Sequence, residues 1–226
     1  MHLRKYFSTV ILLPLVIFTS CLGPKKMNKW IASEYGETIE VNKNKSDYIT
    51  VTSPLINDDP HVSKGMQKTT AFLPLIFYWK VNYHVSETLN PRIPINLFTT
   101  TFTNYANSKG LRQKLDGAKL ELTINKIPVT FSLNQDDRLY YFVLFYIHSE
   151  KIYLLPETRE LSINYKLTKN TAVIKNGVLN IPDQNKIQKT RFLESMKKAT
   201  SEYLSEYDDN IRAMAKSAAE KLITEL

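Results

Sequence analysis

Chemistry at a protein site needs a nucleophile with a base, a pair of carboxylates or a set of metal ligands, and few residues here are spaced for any of these. The histidines are His2, His61, His84 and His148, and no two stand four apart as a zinc-binding helix requires. Asp58-Asp59-Pro60-His61 offers oxygens and a ring nitrogen to a cation, but the same four residues make a turn that needs no ligand. Asp136-Asp137 reads as a hairpin turn, and Glu150, Glu157 and Glu160 as solvated carboxylates in polar turns. Ser53-Pro54 and Ser86 lack the strand-to-helix elbow that exposes a nucleophilic serine. Lys109-Gly110 and Gly117 lack the spacing that lets several backbone N–H groups converge on a phosphate. The expectation is a protein without catalytic residues, metal or cofactor.

One reactive side chain stands apart. Cys21 is the only cysteine, and it follows a positive start (Arg4-Lys5), an apolar run from Val10 to Phe18 and the small residues Thr19-Ser20. That run is too short to span a bilayer and is built like a secretory signal. Thr19-Ser20-Cys21 resembles the lipobox of bacterial lipoproteins, with Phe18 where an aliphatic residue is usual. The resemblance implies cleavage before Cys21, diacylglycerol on its sulfur and a fatty acyl group such as palmitate on the new amino terminus. Two or three acyl chains hold a protein durably where one holds it marginally. An ordinary secretory signal with an incidental cysteine is one alternative; an uncleaved anchor helix is a second, disfavoured by the short run. Leu22 in place of an aspartate implies, by the same resemblance, the outer membrane, on its periplasmic face.

Loss of residues 1–20 removes Arg4 and Lys5, so the 30 basic residues fall to 28 against 22 acidic ones. A spread excess of that size suits a surface near anionic headgroups and lacks the clustered basic face that nucleic acid requires. Residues 21–47 are polar and broken and read as a lipidated tether, with Trp30 and Ile31 either touching the bilayer or capping the fold. Residues 48–226 read as a single α+β domain.

Within it, Tyr48-Ile49-Thr50-Val51-Thr52 is a short strand, and from Ile76 to Val85 the residues Phe77, Trp79, Val81, Tyr83 and Val85 share one face. Asn90-Pro91 and Pro94 announce a helix carrying Ile95, Phe98, Phe102 and Tyr105, closed by Gly110. Leu120, Leu122 and Ile124 alternate, and Val129, Phe131 and Leu133 do so again. Leu139 to Ile147 is a continuous apolar run expected as a central strand covered on both faces. Leu161, Ile163, Tyr165 and Leu167 alternate, and Asn176-Gly177 predicts a hairpin turn between Val173-Ile174-Lys175 and Val178-Leu179-Asn180. A stripe from Phe192 through Met196, Ala199, Tyr203, Tyr207, Ile211, Met214 and Ala218 to Leu222 predicts one long helix from about Lys189, with Asp208-Asp209-Asn210 as its weakest point. The sum is one antiparallel sheet of about five to seven strands, with one shorter helix and the long C-terminal helix packed on one face.

Aromatic residues concentrate on two or three of these strands. Tyr78, Tyr140 and Tyr146 are the candidates for a partner or lipid surface, because amphipathic rings suit interfaces. From Pro94 to Ile124, a helix ending near Gly110, a short linker and the strand Leu120-Glu121-Leu122-Thr123-Ile124 resemble small periplasm-facing lipoproteins. These include the auxiliary lipoproteins of envelope lipid-transport systems and the plug lipoprotein of the lipopolysaccharide exporter. The resemblance implies a non-enzymatic binding or assembly subunit with a protein partner in the envelope, and a lipid as candidate ligand. Two alternatives stay open: an envelope hydrolase or cell-wall-binding enzyme, and a structural tether pairing through its last helix.

Overall fold

The computed structural model describes residues 24–36, 46–56, 62–73, 78–142, 145–157, 159–183, 188–189 and 195–226. Cys21, Phe77, His61 and Phe192 lie outside them. The elements run α1 (Pro24–Tyr35), β1 (Ile49–Thr52), β2 (Val62–Leu73), β3 (Tyr78–Thr88), α2 (Arg92–Ser108), α3 (Leu111–Leu115), β4 (Lys119–Lys126), β5 (Thr130–Phe142), β6 (Phe145–Pro156), β7 (Glu160–Lys169), β8 (Ala172–Pro182), β9 (Gln188–Lys189) and α4 (Met196–Glu225).

The α+β class is as expected, but the strands divide between two sheets. One has the order β1-β4-β7-β8 and is mixed, because β1 runs parallel to β4; the other is antiparallel in the order β2-β3-β5-β6-β9. Among the described residues neither exceeds five strands, and β9 is only two residues long. The reason lies in two links. β4 passes into β5 through residues 127–129, and β6 into β7 through 157–159, so one antiparallel ribbon is broken at the same level in both strands. Each half then recruits its own neighbours.

The core fills the space between these sheets and the helices. Leu120, Leu122 and Ile124 of β4, Leu161 and Ile163 of β7, and Leu179 and Ile181 of β8 are buried with Phe98, Phe102 and Ala106 of α2. α4 covers both sheets. Its last turns carry Ala215, Ala218 and Leu222, while the Tyr203 ring nearer its start lies 5.0 Å from that of Phe131 of β5, inclined at 37°. The stripe read from sequence is buried from Ala199 to Leu222. The helix begins at Met196 rather than near Lys189, with Ser195 Oγ accepting from Lys198 N as an N-cap.

Asp208-Asp209-Asn210 does not bend it. Each side chain takes a partner away from its own backbone: Asp208 accepts from the Tyr35 hydroxyl (3.0 Å), Asp209 from Arg212 (2.8 Å), and Asn210 donates to Asp183 (2.5 Å). With those side chains engaged, the competition that normally weakens helices at Asp and Asn is removed.

Three further expectations need correction, and one strand was not expected. The stretch read as a tether contains helix α1, whose Met27 and Ile31 are fully buried, with Trp30 packed beside them. The folded part therefore includes Pro24–Tyr35 and does not start near Tyr48, and the described residues hold three helices besides α4 rather than one. Asp136-Asp137 is not a turn. β5 runs straight through it, with the Asp136 carboxylate gripped by Arg138 two residues on, on the same face of the strand. Asn176-Gly177 is not a turn either. β8 continues through it, and the chain reverses at Asn170-Thr171, both with positive φ (50° and 69°) between the paired Lys169 and Ala172. The unexpected strand is β2, which carries no alternating signal; it is an edge strand with two Lys and two Thr, and lysine is common at sheet edges.

Candidate functional site

The register of the antiparallel sheet decides which aromatics meet. Tyr78 of β3 stands opposite Tyr140 of β5, and Tyr140 opposite Ile147 of β6. The two tyrosine rings are 4.8 Å apart and inclined at 41°. Tyr78 and Tyr140 are thus brought together as their types suggested, but the third place in the row belongs to Ile147. Tyr146 lies one residue earlier in β6 and pairs with Tyr141.

One residue along, Trp79 pairs with Leu139, on the opposite face of the same strands. Trp79 is 50% exposed and Ile147 52%, while Tyr78, Leu139 and Tyr140 are half-buried. The expected inward face of β3 holds only at its far end: Val85 is buried, level with the buried Leu133 and Leu154. From Val85 outward to Trp79 the strand leaves the core. The run from Leu139 to Ile147 is not one strand: it takes in the end of β5 and the start of β6, with Phe142 paired to Phe145.

Two residues behind the tyrosine row comes a charged one. Lys80 pairs with Arg138, whose guanidinium forks onto Asp136 with Nε–Oδ1 at 3.0 Å and Nη2–Oδ2 at 2.6 Å. Hydrogen bonding from Arg138 holds the Asp136 carboxyl below its ordinary range, and the same bond pushes Arg138 up. The Tyr78 hydroxyl is raised, first by desolvation and then by Tyr140 beside it. These groups keep their usual charge states at neutral pH, so the site offers ring surfaces edged by an ion pair.

No acid–base or nucleophile constellation accompanies it among the described residues. His84 Nδ1 lies 2.6 Å from Asn134 Oδ1, in a sheet row with Tyr153 of β6. His148 lies five positions along β6 from that residue. Among the described residues no group of three His, Cys, Asp or Glu side chains is placed to hold a metal ion, and no helix is long and apolar enough to cross a membrane.

The four-stranded sheet carries a second exposed apolar feature. Its edge strand β8 presents Val173, Ile174 and Val178, beside an open polar groove of about 390 Å³ lined by Glu121, Thr123, Asn164, Lys166, Asn176 and Val178 among others. A Lys166–Glu121 ion pair at 3.5 Å spans that groove between strands and gives it no converging chemistry.

Comparison with family models, curated proteins and solved structures finds no match to this chain. The sheet-end aromatics were legible as a cluster of rings in the sequence; the membership of Trp79, Leu139 and Ile147 was not, because alternation alone assigned the first to the core and the other two to a covered strand.

Proposed function

We propose that this chain is a non-enzymatic envelope lipoprotein, held by lipid on Cys21 at the periplasmic face of an outer membrane. There it serves as a binding or assembly subunit of an outer-membrane or periplasmic complex, with lipid transport as its setting. The observation that carries this reading is the end of the antiparallel sheet. Tyr78, Trp79, Tyr140 and Ile147 stand there outside the core, with no catalytic group beside them among the described residues. Exposed aromatic surface of this kind marks contact with a partner or a lipid. The lipobox-like Thr19-Ser20-Cys21 supports the address. Pairing through the last helix draws no support from the fold, because the stripe from Ala199 to Leu222 is used up against its own sheets.

Purification in mild detergent, followed by mass spectrometry of co-purifying protein and lipid, tests the role. A partner or lipid that is retained by the parent chain and lost on Tyr140→Ser is the expected result. A clean monomer with neither would remove the binding role.

A further inference from the structure

We infer that one face of the antiparallel sheet, the face turned away from the core, binds an anionic phospholipid. Its phosphate lies on Lys80, Arg138 and Lys151, and the start of its acyl chains on Tyr78, Tyr140 and Ile147. This rests on the binding role proposed above and names its ligand; it does not depend on lipid at Cys21.

Alternation decides which side chains share this face. Val85, Leu133 and Leu154 are buried on the core side of β3, β5 and β6, so residues an odd number of places from them stand on the other side. Three successive rows result: Tyr78–Tyr140–Ile147, Lys80–Arg138–Ser149 and Asn82–Asp136–Lys151. The neighbouring acids Asp137 and Glu150 pair with each other on the opposite side. The last two rows therefore carry three cations and one carboxylate, and β2 alongside has no acidic residue.

That carboxylate is already engaged. Asp136 is held down first by the hydrogen bond from Arg138 and then by the charges of Lys80 and Lys151. Only Arg138 forms an ion pair with it. Lys80 and Lys151 have no ion-pair or hydrogen-bond partner among the described residues. The excess positive charge is complementary to an anion, and phosphate oxygens suit clustered ammonium and guanidinium groups.

The next row decides what the anion is attached to. The Tyr78 and Tyr140 rings, 4.8 Å apart, and the exposed Ile147 lie two residues from the row of Lys80 and Arg138, about 7 Å at the rise of a strand. A free phosphate would leave that row wet. A phospholipid lays its glycerol and first methylenes across it while its phosphate stays with the cations. Tyrosine suits such a boundary, with an apolar ring and a polar tip.

The test is native mass spectrometry of the full chain in mild detergent, titrated with phosphatidylglycerol, with phosphatidylcholine of the same chains, and with glycerol phosphate. The expected result is one phosphatidylglycerol bound saturably, at least about tenfold more tightly than either of the others. Lys80→Gln combined with Lys151→Gln should weaken phosphatidylglycerol at least about tenfold and leave phosphatidylcholine unchanged. Neither lysine is bonded within the fold, so thermal unfolding of that variant should match the parent's. Equal binding of the two lipids overturns the inference, as does phosphatidylglycerol binding untouched by the double variant. Glycerol phosphate held as tightly as phosphatidylglycerol overturns a lipid as the ligand. The parent's preference among the three ligands decides the matter even where a variant does not fold. A protein partner that co-purifies through Tyr140, with no saturation by phosphatidylglycerol, would sink this inference and leave the binding role standing.

Discussion

The ring of Tyr165 lies across Gly177 on the neighbouring strand. A Cβ built at position 177 would stand 2.7 Å from both Cε1 and the hydroxyl oxygen of Tyr165. The glycine is needed for this approach and not for a turn, and it lets the buried Tyr165 ring cross β8 so that its hydroxyl donates to Glu225 at 2.9 Å. Gly177→Ala should displace the ring and break that bond, costing about 1–3 kcal/mol as overpacking does. Chemical denaturation of the variant checks it; if the midpoint stays unchanged, the ring does not occupy that space.

Ile31 tests whether α1 belongs to the fold. It is fully buried with Met27, which receives the Thr200 hydroxyl of α4 at 3.7 Å on its sulfur. Ile31→Ala should lower stability by about 2–5 kcal/mol. A loss well under 1 kcal/mol would mean that the helix is dispensable to the core.

Two tyrosines on one face of α4 should respond in opposite ways. Tyr207 donates its hydroxyl to the Pro128 carbonyl at 2.5 Å, whereas the buried Tyr203 hydroxyl has no partner among the described residues. Tyr207→Phe leaves a buried carbonyl unsatisfied and should cost about 1–3 kcal/mol. Tyr203→Phe removes an orphaned polar group and should be neutral or stabilising. Equal effects in thermal unfolding would contradict the contrast.

Asp208 should give stability a measurable slope with pH. Burial raises its carboxyl above the ordinary value of 3.8, and the hydrogen bond from Tyr35 pulls it partly back. The folded protein therefore holds this proton to a higher pH than the unfolded chain does. The contribution is fully present below 3.8 and is lost as pH rises through the folded value. Asp208→Asn keeps an acceptor for Tyr35 and has nothing to titrate. Its stability relative to the parent should rise across that window, and parallel curves would show that Asp208 titrates as it does in the unfolded chain.

Cys21→Ser should abolish lipid labelling and release the protein from membranes. Persistent labelling of the serine variant would place the modification elsewhere.

Read as a string, the chain determined its class, the order of most elements and much of its core. Periodicity is a local property, and a strand such as Lys119–Lys126 or a stripe such as Ala199–Leu222 needs no knowledge of its neighbours to be seen. Helix α2 closing at Gly110, with φ of 75°, was legible for the same reason. Tertiary structure decided whatever depends on a partner. Asn176-Gly177 has the composition of a turn but lies in a strand, because Tyr165 occupies the space above the glycine. Asp136-Asp137 lies in a strand because Arg138 neutralises the carboxylate within the sheet. Pro24–Tyr35 is helical because Met27 and Ile31 find a core to enter. An apolar run such as Leu139–Ile147 looks the same in sequence whether it is one strand or two, and only the pairing of Phe142 with Phe145 divides it between β5 and β6.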